Sequence, residues 1–225
     1  MSQSESSTGY MPAILSSVNR RASRILLGTA SMSDKFVPDH AELQKLIAVF
    51  RSSGHVIVFA AGVWDLYHIG HGRYLAQAKE EARRLYPEAD KIVLVVGVDT
   101  DELTRSRKGP KRPIVPEDER YEVLPQLAVV DIVTPQYEAN TLFRVVGHDV
   151  RIISATTGDL PKDASVMKEM CEHLVQLEPQ AETSTTARIR RLFIEGGTNV
   201  LDKFRQKVAE LLAEIEVQVQ GGGDV

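Results

Sequence analysis

Two long hydrophobic runs constrain the fold of this 225-residue chain more than any other feature. Residues 55–62 (HVIVFAAG) and 91–98 (KIVLVVGV) are almost continuously hydrophobic, whereas a strand with one solvent-exposed face alternates hydrophobic and polar residues. Such runs are typical of strands that are covered on both faces, which occur mainly in parallel sheets. They therefore predict a sheet with helices packed on both sides.

Segments with helical periodicity separate these runs from three further strand candidates. The further strands are predicted at residues 129–135, 149–155 and 173–179. Helices are predicted at residues 39–51, 71–85, 138–147, 183–194 and 199–217, with another that begins after Pro116. Strands that alternate with helices form βαβ units with right-handed crossovers. The prediction is an α/β fold with a mainly parallel sheet of about five strands, helices on both faces and a C-terminal helical extension.

Three parts of the chain are expected. Residues 1–33 are rich in serine and are predicted to form a flexible N-terminal arm, and residues 34–196 form the α/β domain. Residues 197–225 are predicted to form an amphipathic helix and a disordered tail. The hydrophobic stripe of this helix could pack on the domain or on a second subunit, so a homodimer is one expectation. The stripe consists of Leu201, Phe204, Val208, Leu211, Leu212 and Ile215.

Composition excludes several classes of protein. No hydrophobic run approaches the ~18 residues of a membrane span. The N-terminus lacks the features of a secretory signal, although its arginines at 20, 21 and 24 are compatible with a transit peptide. Cys171 is the only cysteine, which rules out an internal disulfide and favours a cytoplasmic location. The formal charge of −4 argues against nucleic acid as a partner and against a dedicated nucleic-acid binder.

The loop after the first predicted strand carries the strongest chemical signal. His68 and His71 flank Gly70 at the start of a predicted helix. A helix N-terminus offers unpaired amide groups and partial positive charge, which favour phosphate, and glycine lets the backbone approach a ligand closely. Both imidazoles can donate hydrogen bonds to phosphate oxygens. The alternative is that His71 only caps the helix and His68 is a surface residue.

A second signal is the segment 105–112 (RSRKGPKR), which holds five basic residues and no acidic residue. A basic run beside a phosphate-binding site could contact the phosphates bound there. The alternatives are a solvated loop or a nucleic-acid patch. No aromatic residue alternates with these charges, which disfavours a nucleic-acid patch.

These motifs, together with the hydroxyl cluster at residues 183–186, resemble the signatures of the HxGH-motif nucleotidyltransferase (cytidylyltransferase-like) superfamily. The likeness covers residues 36–194. Residues 36–80 look most like the adenylyltransferase domains of ADP-heptose synthases, and slightly less like glycerol-3-phosphate cytidylyltransferases. The resemblance implies a Rossmann-like sheet, with residues 34–196 as the nucleotidyltransferase domain.

Site residues follow from the same resemblance. It implies that His68, His71 and Lys108 are catalytic. It implies nucleotide binding by Phe59, Ala60, Ala61, Gly62, Asp65, Gly70, Arg112, Arg120, Ser184, Thr185, Thr186 and Arg191. The cofactor implied is Mg²⁺, held mainly by the phosphates, with Asp65 as a further candidate ligand.

The predicted activity is transfer of AMP, or CMP, from ATP or CTP to a small phosphorylated acceptor such as a sugar phosphate. Attack is expected to be direct and in line, with release of pyrophosphate. Two alternatives remain. Ala60 and Ala61 replace two polar residues of the usual motif, so the chain could be a non-catalytic nucleotide-binding or regulatory protein. A fragment of an aminoacyl-tRNA synthetase is disfavoured by the short length and by the absence of a lysine-rich KMSKS-like loop or a tRNA-binding extension.

Overall fold

The computed structural model describes residues 10–139, 141–155, 171–180 and 201–210, together with residues 189 and 194. The helices are α1 (Tyr10–Leu27), α2 (Met32–Lys35), α3 (His40–Ser52), α4 (Ile69–Leu85), α5 (Asp101–Lys108), α6 (Glu117–Val123) and α7 (Leu142–Val146). A 3₁₀ turn at Leu124–Gln126 follows α6. The strands are β1 (Val56–Gly62), β2 (Ile92–Asp99), β3 (Ile132–Gln136), β4 (Val150–Ser154) and β5 (His173–Leu177). Within the described ranges no helix is both long and hydrophobic enough to cross a membrane.

The five strands form one parallel sheet in the order β3-β2-β1-β4-β5. The predicted α/β fold with a Rossmann-like parallel sheet is thereby confirmed. Strand order reverses between β1 and β4, and open parallel sheets bind ligands at the carboxyl ends of the strands beside such a switch point. The loops that follow β1 and β2 leave the sheet at this edge.

Both faces of the sheet are buried, which explains the continuous hydrophobic runs. Alternate residues of β1 and β2 point to opposite faces, as the pleat requires. On one face, Val58 and Leu94 pack with α4 residues such as Leu75. On the other face, Ile57 and Val93 pack beneath α1, α3 and α7.

The N-terminal segment differs from the expected flexible arm over residues 1–33. Residues 10–27 form α1, and Val18, Ala22 and Ile25 lie in the core with at most 2% of their surface exposed. Their spacing places them on one helix face, so the helix docks on the sheet by burying that face. The Lys91 ammonium donates to the carbonyls of Ile25 and Leu26, which caps the C-terminal end of α1.

The first half of the basic segment also differs from the expected flexible loop, because it forms the end of α5. Thr100 caps the N-terminus of α5 by accepting from the Leu103 amide at 3.2 Å. The first turn is acidic, with Asp101 and Glu102, and the last turn is basic. This charge order complements the helix dipole, so the same arginines and lysine that suggested a loop stabilise a helix end.

The chain divides into two compact units, residues 1–181 and 182–225. The first contains the whole sheet. Of the second, residues 201–210 are helical, and Leu201, Phe204 and Val208 are exposed. Of the predicted helix at 183–194 only residues 189 and 194 are described, and both are helical, whereas residues 199–200 and 211–217 of the predicted helix at 199–217 lie outside the described residues.

Candidate functional site

The turn between β1 and α4 is held in an unusual backbone conformation. Trp64 and Leu66 both have positive φ, at 58° and 46°, which costs a non-glycine residue of the order of 1–3 kcal/mol. Trp64 is fixed there because its indole N–H donates to the Gly97 carbonyl at 2.9 Å. The turn therefore connects β1 firmly to β2 and sets where the following histidines lie.

His68 and His71 form a reciprocal cap at the N-terminus of α4. Nδ1 of His68 accepts from the Gly70 amide at 3.1 Å, and Nδ1 of His71 accepts from the His68 amide at 3.4 Å. The two rings stack with centroids 4.0 Å apart, and the Trp64 ring packs edge-on to His71 at 5.5 Å. Because each Nδ1 accepts, a neutral ring carries its proton on Nε2, which makes Nε2–H the donor.

Asp65 is buried and anchors the loop that follows α5. Its carboxylate accepts from the Arg112 guanidinium at 2.9 and 2.7 Å. It also accepts from the amides of Ile114, at 3.0 Å, and Val115, at 2.9 Å. Both oxygens therefore have donors within the protein. This geometry describes a structural anchor and differs from the expected nucleotide or magnesium contact.

Arg112 and Arg120 also differ from the expected direct contact with nucleotide. The guanidinium of Arg112 is bound to Asp65 through two nitrogens. Arg120 is 2% exposed, and it donates to the carbonyls of Val63 and Asp99 at 2.6 and 2.7 Å. It further binds the Val115 carbonyl and the Asp101 carboxylate. Arg120 thus joins the ends of β1 and β2 to α5 and to the loop before α6.

Lys108 ends α5 beside these anchors and remains exposed. Partial burial of its ammonium group, followed by the charges of Arg112 and Arg107, lowers the pKa of Lys108. Asp99 and Asp65 act in the opposite direction. Within the described part of the chain, Lys108 forms no hydrogen bond or ion pair. The same holds for Lys111, so Lys108 and Lys111 are the two cations of the basic segment that a phosphate could engage.

A buried polar cluster at the end of β2 was missed by the sequence reasoning. Asp99 has no exposed surface, and its carboxylate accepts from Arg107 at 2.5 Å and from the Gln136 amide at 2.6 Å. Burial raises the pKa of Asp99, while Arg107 and the Gln136 hydrogen bond oppose this shift. The partners lie on different elements, so no local motif reveals them.

The remaining predicted residues fall into two groups. Phe59 and Ala60 are buried in the two cores, so only their backbone can reach a ligand, whereas Ala61 and Gly62 are half-buried at the end of β1. Ser184, Thr185, Thr186 and Arg191 lie outside the described residues. The structure thus brings the histidine pair, Gly70, Asp65, Arg112 and Lys108 to one edge of the sheet.

A parallel sheet with a histidine-capped helix and a basic segment at its carboxyl edge is typical of α/β domains that bind phosphate groups. The chain belongs to the cytidylyltransferase-like family, whose model matches residues 59–219.

Among curated proteins, it is similar to the Bifunctional protein HldE of Trichlorobacter lovleyi, with 31% identity over 170 residues, 74% of this chain and 33% of that protein. It is 35% identical over 127 residues to the Bifunctional protein HldE of Yersinia enterocolitica, which covers 56% of this chain and 25% of the relative. This chain therefore spans a third or less of the length of these relatives. A solved lipopolysaccharide core biosynthesis protein from Thermoplasma volcanium matches with a TM-score of 0.43 and 26% identity over 54% of this chain and 95% of that one.

Proposed function

We propose that this chain transfers a nucleotidyl group from a nucleoside triphosphate to a small phosphorylated acceptor, such as a sugar phosphate, and releases pyrophosphate. Membership of the cytidylyltransferase-like family and the similarity to HldE proteins support this proposal. AMP transfer from ATP is favoured over CMP transfer from CTP, because residues 36–80 resemble adenylyltransferase domains more than cytidylyltransferases.

The observation that carries the proposal is the orientation of the two imidazoles. Each Nδ1 accepts from a backbone amide of the α4 cap, so each neutral ring has its proton on Nε2. Two stacked N–H donors at the start of a helix of 17 residues suit phosphate oxygens, and the helix dipole adds partial positive charge.

Chemistry at this site needs positioning and charge stabilisation. A phosphate oxygen of the acceptor is already a nucleophile near neutral pH, so it can attack the α-phosphorus in line without a general base. His68 and His71 donate from Nε2 to the phosphate oxygens as negative charge grows on them, and the Lys108 ammonium stabilises the leaving pyrophosphate. Asp65, which binds Arg112, lies three positions before His68, so the end of the basic segment is tied to the turn that leads to the histidines.

Magnesium would enter with the triphosphate, coordinated mainly by phosphate oxygens, and would neutralise phosphate charge there. Asp65 fits poorly as a protein ligand, because its oxygens already accept from Arg112 and two backbone amides. In the described part of the chain, no group of three or more metal-binding side chains is present. No step of the proposed mechanism depends on a protein-bound metal.

Pyrophosphate release should be measured with ATP and CTP against a panel of sugar phosphates and glycerol 3-phosphate. We expect His68→Ala and His71→Ala each to lower kcat by about two to three orders of magnitude, the range for loss of one electrostatic donor. His55→Ala is a matched control at the opposite end of β1 and should retain activity. Near-normal turnover by both site variants would contradict the proposed function.

A non-catalytic nucleotide-binding protein is the second candidate, favoured by Ala60 and Ala61. Ala60 has no exposed surface, so its side chain is part of the core and would not contact a ligand. The alanine at this position therefore does not weaken the enzyme proposal. Nucleotide binding without pyrophosphate release for any acceptor would select this candidate. A homodimer and a cytoplasmic location are also proposed, supported by the exposed stripe of residues 201–210 and by the single cysteine.

A further inference from the structure

Two buried carboxylates hold the basic segment at two positions. Asp99, at the end of β2, binds Arg107, and Asp65, after β1, binds Arg112. Both carboxylates are almost fully buried, with 0% and 2% of their surface exposed. Because these strands are neighbours in the sheet, the two anchors fix the segment between them to the same rigid edge.

Lys108 lies between the two anchors in the chain and in its electrostatic surroundings. It follows Arg107 directly, and Gly109 then turns the chain out of α5 with a φ of 92°, a conformation that favours glycine. The charged groups that act on its ammonium are Arg107 and Arg112, which disfavour the charged form, and Asp99 and Asp65, which favour it.

Asp99 is itself held on a third side. The Gln136 amide donates to the oxygen that Arg107 does not use, and Gln136 is the register partner of Asp99 across β2 and β3. Arg120 binds the Asp99 backbone carbonyl. The carboxylate therefore has one defined orientation, and a buried hydrogen-bonded ion pair of this kind transmits that orientation to its partner.

We propose that Asp99 is a positioning residue of the transfer reaction, which through Arg107 fixes the last turn of α5 and so places the Lys108 ammonium at the triphosphate. The charge of the Asp99 carboxylate also favours the charged form of that ammonium. This inference rests on the proposed function for its role in catalysis. Its electrostatic part concerns the free protein and can be measured without substrate.

The first measurement is the titration of Lys108 in the full chain by NMR with lysine labelled at Cε, assigned from the signal that Lys108→Arg removes. Asp99→Asn takes away a negative charge and should lower the pKa of Lys108. Arg107→Met takes away a positive charge and should raise it. Opposite shifts are required, because a purely structural defect would not change sign with the charge that is removed.

Asp131→Asn is the matched control. Like Asp99, Asp131 is a buried carboxylate with a cationic partner, in its case Lys79 at 2.6 Å. It lies before β3, at the other end of the sheet. It should lose stability as Asp99→Asn does, yet leave the Lys108 titration unchanged. An unmoved Lys108 titration in both Asp99→Asn and Arg107→Met overturns the inference.

The second measurement is the pH profile of pyrophosphate release. Asp99→Asn should lower kcat/KM about 10- to 100-fold, mainly through kcat, as expected when a group that contacts the transition state is misplaced. Its alkaline limb should move to lower pH, and the limb of Arg107→Met should move to higher pH. Lys108→Arg keeps its charge and should lose the limb. An alkaline limb that persists in Lys108→Arg contradicts the inference. If the variants shift the Lys108 pKa as expected but the wild-type protein releases no pyrophosphate, only the proposed function is contradicted.

Discussion

Replacing Asp65 tests whether this residue anchors the loop or binds a ligand. Asp65→Ala removes an ion pair in which two Arg112 nitrogens contact one carboxylate oxygen, and it removes the acceptor for the amides of Ile114 and Val115. Asp65 is 2% exposed and the Arg112 side chain 18% exposed, so solvent screens the pair weakly. Breaking one partner of a buried pair costs about 3–5 kcal/mol, because the other charge is left without compensation.

Thermal unfolding gives the expected size of this effect. For a protein of this length, 1 kcal/mol shifts Tm by about 2–4 °C, so Asp65→Ala should lower Tm by about 6–20 °C. Glu81→Ala is the control, since the Glu81–Arg84 pair lies on the surface, where the arginine side chain is 71% exposed. Such a pair contributes about 0–1 kcal/mol. The comparison should be made by circular dichroism at one pH and one salt concentration.

The result separates two roles for Asp65. A loop anchor predicts that stability and triphosphate affinity fall together, because Arg112 and the residues after it are released. A ligand-binding carboxylate predicts lost affinity with Tm close to that of the wild type. If Asp65→Ala melts within about 2 °C of the wild type, the anchoring role drawn from its four donors is wrong.

Two further predictions concern buried charged and titratable groups. Arg120→Met should lower the free energy of unfolding, measured in urea, by about 3 kcal/mol or more. Arg120→Lys should not restore that stability, because one ammonium cannot reproduce the planar set of guanidinium donors. An Arg120→Lys variant as stable as the wild type would contradict this prediction. Burial, with Arg151 and Arg51, lowers the pKa of His148 to about 3, so the unfolded chain binds a proton that the folded chain does not as pH falls below about 6.5. This histidine should therefore cost the wild-type protein about 2–3 kcal/mol of stability between pH 7 and 4.5. The total loss of stability over that range should be smaller by this amount in His148→Gln, and equal losses in the wild type and the variant would refute this account.

The strands that carry the site could be predicted closely from the sequence. Residues 55–62 and 91–98 were predicted as strands, and the structure has Val56–Gly62 and Ile92–Asp99. Burial on both faces leaves a long hydrophobic run that needs no tertiary information to recognise. The histidine pair at the start of α4 was predictable for a similar reason, because the motif and the helix start are both local in sequence.

The N-terminal helix was missed although its spacing was present. Val18, Ala22 and Ile25 recur at helical intervals, but the serine-rich composition around them outweighed the pattern. Its stability is expected to come mainly from docking, since most helical stability in proteins comes from the packing of an amphipathic face. Local sequence does not show that a complementary face on α3 and the sheet exists to receive it.

Long-range pairing explains why the roles of the charged residues could not be predicted. Asp99 and Gln136 are 37 positions apart and meet only because β2 and β3 pair in a register that aligns them. Asp65 and Arg112 are 47 positions apart and meet at the end of neighbouring strands. A motif can indicate that such residues belong to the site, but it does not show whether they bind the ligand or one another.

The basic segment shows the consequence for function. Its five positive charges suggest a loop in which every cation is available to a triphosphate, yet Arg107 and Arg112 are paired with buried carboxylates and Arg105 lies 3.8 Å from Asp101. Arginine is suited to such anchoring, because its planar guanidinium binds a carboxylate through two nitrogens, whereas lysine presents a compact charge on a flexible stem. The arginines therefore shape the segment, and the two lysines, Lys108 and Lys111, are the cations that can respond to the ligand. The ionic-strength dependence of triphosphate binding should accordingly reflect about one or two cations of this segment and not five.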